Sequence, residues 1–186
     1  TCWDDRHRHP RAAGQIHRGL AGFCLVTDDE EVALRLPDGP HEVLLMLQDR
    51  DGSAGEAVAY APGDADRHGG LLREIPFGNG VRLPTLSVSG TRYRFRVLNA
   101  SQARVYRLAL DAGIPMTVIG NDGGLLAAPV EVDAAFLGVG ERLDFLLDFT
   151  AVPPGTRMML KSLPFDVPPV PGAASSQGVE LELLEL

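Results

Sequence analysis

The chain has 186 residues, 45% of them hydrophobic, 23% charged and 6% aromatic, which suits one globular domain, or one domain plus a piece of another, and excludes a disordered chain. Seventeen Lys and Arg against 25 Asp and Glu leave a formal charge of −8, the wrong sign for a protein that binds by neutralising phosphates or anionic lipid, so nucleic acid is excluded as a partner. No apolar run approaches the roughly 20 residues of a membrane-spanning helix, and the chain opens on Thr1-Cys2-Trp3 with neither an initiator Met nor a signal-peptide pattern, so a piece of a longer protein is expected.

The 21 Gly and 14 Pro leave few stretches free of a chain breaker, which favours short strands and turns over long helices. The first 28 residues stand apart: they carry three of the five His, both Cys and the only Trp, then give way to an acidic linker at Thr27–Glu31. Strands are predicted at Phe23–Val26 and Glu42–Leu47. Asp49 to Gly80, rich in Gly, Asp and Ala, reads as a long excursion before the next strand at Val81. In Tyr93 to Asn99 the apolar Tyr93, Phe95 and Val97 alternate with Arg92, Arg94 and Arg96, the period of a strand with one dry and one wet face, and an outer-facing sandwich strand is predicted. Further strands are predicted at Val105–Leu110, Met116–Ile119, Phe136–Val139, Leu143–Phe149, Met158–Leu163 and Val179–Leu183, the last reached by a Pro-rich crossing from Phe165 to Gly178. Turn clusters such as Pro37-Asp38-Gly39-Pro40, Asn121-Asp122-Gly123-Gly124 and Pro153-Pro154-Gly155 separate them. The fold class is therefore all-β, a sandwich or barrel with Greek-key connections.

His7 and His9 are two residues apart, so on an extended strand both imidazoles project from one face, as two nitrogen ligands to a metal would. The same spacing also fits an exposed, arginine-laced segment, since Arg6, Arg8 and Arg11 lie among them.

Thr1-Cys2-Trp3, followed by His7, His9, Gly14, Gln15 and Gly19-Leu20-Ala21-Gly22, resembles the end of the first cupredoxin domain of three-domain multicopper oxidases, the copper-efflux oxidases, laccases and bilirubin oxidases. There a Trp-aromatic-His-x-His-x-His strand precedes a Gly-Leu-Ala-Gly turn. The likeness runs on through Leu44-Met46-Leu47-Gln48-Asp49-Arg50, Gly78-Asn79-Gly80, Tyr93 to Ser101, Asn121 to Leu126 and Gly140-Glu141-Arg142, which are similar to the middle domain of the same oxidases. The resemblance implies a cupredoxin-like Greek-key β-sandwich, with residues 1–28 the C-terminal remnant of a first cupredoxin domain and 32–186 the middle one. It implies a bacterial parent, periplasmic or secreted, that holds copper and oxidises a small-molecule substrate (phenols, bilirubin-like pigments or Cu(I)) one electron at a time while reducing O2 to water. The middle domain of such enzymes binds no copper. The partners of this chain would then be the missing first and third cupredoxin domains, and the chain alone would be inactive.

Carried over by position, His7 matches a metal ligand, His9 a further His just after the ligands, and Asp5 stands where a His ligand is expected. A hard anionic oxygen in place of an imidazole weakens a site that must also hold Cu(I). Copper loading is thereby in question, and a copper-free structural or interaction protein of the bacterial envelope, like the cell-division protein that shares the fold, is the alternative.

The remaining candidates read more plainly. Cys2 and Cys24 flank the connection between two strands and are either buried thiols or, in an oxidising compartment, a disulfide. His17, His41 and His68 are solitary surface or loop residues, and Met46, Met116, Met158 and Met159 are core filler. Glu141 and Arg142 form an ion-paired corner, Asn121-Asp122-Gly123-Gly124 a tight turn.

Overall fold

A computed structural model describes residues 1–4, 11–51, 60–168 and 176–186. In chain order its elements are β1 (Cys2–Asp4), α1 (Ala12–His17), β2 (Gly22–Cys24), α2 (Asp29–Ala33), β3 (Glu42–Arg50), α3 (Asp64–Gly69), β4 (Ile75–Gly78), β5 (Val81–Arg82), β6 (Arg92–Asn99), β7 (Tyr106–Leu110), β8 (Met116–Asn121), β9 (Gly124–Val132), β10 (Ala135–Leu137), β11 (Arg142–Asp148), β12 (Met159–Ser162) and β13 (Leu181–Glu185). Among the described residues the strands form a seven-stranded sheet in the order β5-β4-β3-β6-β11-β8-β9, a four-stranded sheet β10-β7-β12-β13, and a separate β1-β2 hairpin. The two larger sheets face each other, and the chain crosses repeatedly between them.

Period-2 alternation builds the core. On β6 the residues Tyr93, Phe95 and Val97 face inward beside Leu143, Phe145 and Leu147 of antiparallel β11 and Val43 and Leu45 of parallel β3. Tyr106, Leu108 and Leu110 of β7 and Leu160 of β12 supply the opposing layer. Phe95 and Phe145 are fully buried and stack with centroids 5.5 Å apart at 6°.

Turn chemistry sets the register locally. Asn79 and Gly80 both take positive φ (49° and 78°), the two-residue turn that closes a tight hairpin between β4 and β5. The Asn79 side chain then donates to Leu44 O and accepts from Met46 N, pinning the hairpin tip to β3. At the far edge of the sheet β9 is mostly exposed and contains Pro129, a residue tolerated on an edge strand because its missing N–H interrupts no interior ladder.

Three sequence expectations are corrected. The strand at 92–99 is not outer-facing: β6 lies at the centre of the seven-stranded sheet, and Arg94 and Arg96 on its supposed wet face are 3% and 2% exposed. They are buried because the segment predicted as an acidic linker folds over them, its α2 capped by Asp28 Oδ1 accepting from Glu31 N at 2.8 Å. The excursion after Asp49 contains α3 and β4, the latter hidden from pattern reading by Pro76 and its flanking Gly78.

Replacing Phe95 by Ala removes one member of the stacked pair where no solvent can fill the space, and should cost about 3–5 kcal/mol. Urea unfolding checks this as a lower midpoint at unchanged slope.

Candidate functional site

The face of β6 turned away from the core carries a cluster of buried charge. Arg94 and Arg96 project from it side by side, Asp144 sits opposite Arg96 on β11, and Glu42 opposite Arg94 on β3. Arg94 holds Asp144 with two parallel N–H···O bonds (2.9 and 2.6 Å), and Arg96 holds Glu42 at 2.7 Å. Glu31 of α2 completes the group: its Oε1 accepts from Arg94 at 2.8 Å and from Arg96 at 2.6 Å. Burial acts to raise the Glu31 pKa, but the hydrogen bonds and charges of the two guanidiniums outweigh it, so the carboxyl lies below its ordinary range. Burial likewise opposes the charge on Arg94, and Asp144 and Glu31 more than restore it. An open cavity of about 310 Å³ borders this cluster, lined by Thr1, Val26, Glu30 and Leu125 among others.

The same face receives the start of the chain. Thr1 Oγ1 accepts from Arg96 Nη1 at 2.7 Å, and Thr1 O accepts from Arg142 Nε at 3.4 Å. Trp3 packs over Gly140, where an added Cβ would lie 3.4 Å from the indole, an ordinary contact, and the φ of +76° is what favours glycine in the turn before β11. Arg142 pairs with Asp122 at 3.0 Å and not with its neighbour Glu141, whose carboxylate instead accepts from Gly138 N; the expected ion-paired corner exists with a different acid. Further along, α1 is gripped through its carbonyls: Gln48 donates to Ile16 O, Arg50 to His17 O and Gln102 to Ala13 O. Residues 1–4 and 11–24 are thus fastened to the sandwich chiefly by side chains of β3, β6, β11 and the turns beside them.

A second buried pair closes the neighbouring end. Arg104 and Asp49 are each 1% exposed and 3.1 Å apart. Arg104 also donates to Arg73 O and Ser176 O, joining the excursion after β3 to the crossing before β13. Asn99, fully buried, donates to Arg104 O and Leu137 O and accepts from Ser101 N, which shapes the exit from β6.

Of the residues singled out for metal chemistry, Asp5, His7 and His9 lie outside the described residues, between the end of β1 and the start of α1. Among the described residues no group of three or more His, Cys, Asp or Glu could hold a metal ion. Cys2 and Cys24 are opposed in the β1-β2 ladder, and both thiols are free and exposed rather than buried. His17 is also corrected: it is 4% exposed and packs 5.5 Å from the Tyr60 ring. Burial first, then Arg50 and Arg73, hold its pKa below the usual histidine value. His41 packs edge-on to Tyr93 at 5.1 Å, and His68 is exposed with Nδ1 2.7 Å from Asp64 O. Met116 and Met158 are buried in the core as expected, whereas Met46 and Met159 are only partly buried and lie outside it. The charge cluster itself escaped sequence reading, although arginines two apart in an otherwise apolar strand, followed by Arg142-Leu143-Asp144, were a visible signal of facing charges.

The two-sheet sandwich is that of the cupredoxin-fold multicopper oxidases, and residues 44–176 match the multicopper oxidase family. The chain belongs to that family. It is 38% identical over 154 residues to the cell division protein FtsP of Xenorhabdus nematophila, covering 82% of this chain and 32% of the relative. It is 35% identical over 164 residues to a laccase of Bacillus stratosphericus, with 81% and 32% covered. Among solved structures, the 2F4 variant of the McoA multicopper oxidase from Aquifex aeolicus superposes with a TM-score of 0.85 at 33% identity, over 96% of this chain and 39% of that one. The chain spans about a third of the length of the curated relatives it matches.

Arg94→Met should cost about 3–5 kcal/mol, because Asp144 and Glu31 keep buried charge with half their partners gone. Arg92→Met on the same strand should cost about 0–1 kcal/mol, since the Arg92–Asp148 pair is open to water; urea midpoints of the two variants check the contrast. His17 and Glu31 both have folded pKa values below their ordinary ones, so each contributes stability above that ordinary value and loses it as pH falls through the folded one. Unfolding midpoints should therefore decline in two stages on acidification, the first below the usual histidine range and absent in His17→Gln, the second below the usual carboxylate range.

Proposed function

We propose that residues 32–186 are the middle cupredoxin domain, and residues 1–28 the end of the first, of a bacterial multicopper oxidase that is periplasmic or secreted. The parent oxidises a small-molecule substrate such as a phenol, a bilirubin-like pigment or Cu(I), one electron at a time, with O2 reduced to water by its copper. This chain's part is positional. The observation that carries the reading is the fastening of Thr1 and Trp3 to the sandwich by Arg96, Arg142 and the Gly140 turn: these contacts orient the strand that leads directly into Asp5, His7 and His9. In this reading His7 is a copper ligand, His9 is an accessory imidazole and Asp5 takes the place of a ligand histidine. The missing first and third domains complete the site, so the isolated chain turns over no substrate.

A second reading has its own support. A cell division protein is as similar to this chain as a laccase is, and Asp5 in place of an imidazole weakens a Cu(I) site. In this reading the whole protein is a copper-free cupredoxin assembly with a structural or interaction role in the envelope.

Copper content and oxygen uptake of the full-length parent separate the two. Stoichiometric copper with turnover supports the oxidase, and a copper-free, inactive parent supports the structural protein. If Asp5 is the weak ligand, Asp5→His in the parent should raise copper occupancy, and bound copper should be released on acidification as protons compete with the metal for imidazole. Unchanged occupancy in Asp5→His counts against the role given to Asp5.

A further inference from the structure

The chain has two cysteines, and folding puts them directly opposite each other: in the antiparallel β1-β2 ladder Cys2 pairs with Cys24, with Trp3 paired to Phe23 beside them. Opposed residues of such a ladder project from the same face with Cβ atoms about 4.5–5.5 Å apart and Cα atoms at a similar separation. A disulfide asks for Cα atoms about 4.4–6.8 Å apart and Cβ atoms about 3.5–4.5 Å apart. The backbone is therefore already at bonding span, and side-chain rotation with slight closure of the ladder brings the sulfurs together. Both thiols are free and exposed. Neither is committed to core packing, and both are open to a soluble oxidant.

We propose that Cys2 and Cys24 form a reversible disulfide, a redox clip across the β1-β2 hairpin. The oxidant is a small external disulfide. One cysteine thiolate attacks a sulfur of that disulfide, giving a mixed disulfide and expelling one external thiolate. The second cysteine thiolate attacks the protein sulfur of the mixed disulfide, closing the Cys2–Cys24 bond and expelling the other. Two protein thiols are oxidised, one external disulfide is reduced to two thiols, and the two cysteine protons end on them. The clip acts where the fold needs it: among the described residues β1 and β2 pair only with each other, and a two-stranded ladder by itself is marginal in water. In sequence, the loop it closes contains Asp5, His7 and His9, so the redox state sets how firmly both ends of that stretch are tied. The chemistry involves no copper and holds whichever function the parent has.

The test uses the chain purified in reductant, desalted and incubated with oxidised glutathione without denaturant. The thiol titre should fall from two per chain to none, with an intact mass lower by two hydrogens. After quenching of free thiols and denaturation, trypsin should release residues 1–6 covalently joined to residues 19–35. Exchange of the amides hydrogen-bonded across the ladder, within residues 2–4 and 22–24, should slow by about three-hundredfold relative to the reduced chain, the effect of cross-linking a loop of this size. Cys2→Ser and Cys24→Ser, tolerated at exposed positions, should each keep one glutathione adduct and lose the protection. Persistent adducts on the unmutated chain, a disulfide-linked dimer, or exchange as fast in the cross-linked chain as in Cys24→Ser would overturn the proposal.

Discussion

Two guanidinium groups buried in the middle of a central strand impose the main constraint on this molecule. Arg94 and Arg96 cannot be left facing an apolar neighbour, because a desolvated charge without partners costs several kcal/mol (~3–5), so three carboxylates from three different elements must converge on them. Asp144 and Glu42 come with the sheet, since the β6 ladders place them beside the arginines. Glu31 does not; it arrives only if residues 27–38 fold back over the sheet. None of the residues of α2 is buried, so charge, not apolar area, holds that helix in place. The pairing is better understood as a specifier of register than as a source of stability, because a buried ion pair returns little beyond its desolvation cost.

The Arg104–Asp49 pair applies the same logic at the end of the sandwich where β3 and β6 finish. Here the guanidinium also donates to the backbone carbonyls of Arg73 and Ser176, which belong to two different connections between strands. Asn99 supports it by accepting and donating within the turn that presents Arg104. Long loops of a two-sheet protein are thus tied to the body by a few polar side chains at strand ends, while the strands between are held by ordinary burial.

These two devices give the domain its relation to the hairpin at the start of the chain. Arg96 serves both: one side of its guanidinium answers Glu42 and Glu31, and the other reaches Thr1. The position of β1 is consequently coupled to the same cluster that holds α2 on the sheet. The opening strand and α2 are thus held on the sheet through one shared guanidinium.

Much of the fold was legible from residue order because β-sandwich strands obey a period of two and Gly and Pro mark their ends. The strands at Glu42, Tyr93, Val105, Met116, Leu143 and Met158 were visible that way, as was the resemblance carried by Trp3, His7 and the Gly19-Leu20-Ala21-Gly22 turn. What stayed hidden depended on contacts between distant parts of the chain. Alternation told that Arg94 and Arg96 share a face, yet whether that face meets water depends on Glu31, some 63 residues away from Arg94 in sequence. The strand at Ile75–Gly78 is held by pairing with β3 and β5, not by its own propensity. His17, solitary in sequence, is buried because Tyr60 and β3 close over it. Residue order left Cys2 and Cys24 open between buried thiols and a disulfide, and only the ladder shows them exposed and opposite each other. Local periodicity is a property of a segment and survives in the sequence; burial, charge pairing and register are properties of two segments together, and only the tertiary structure decides them.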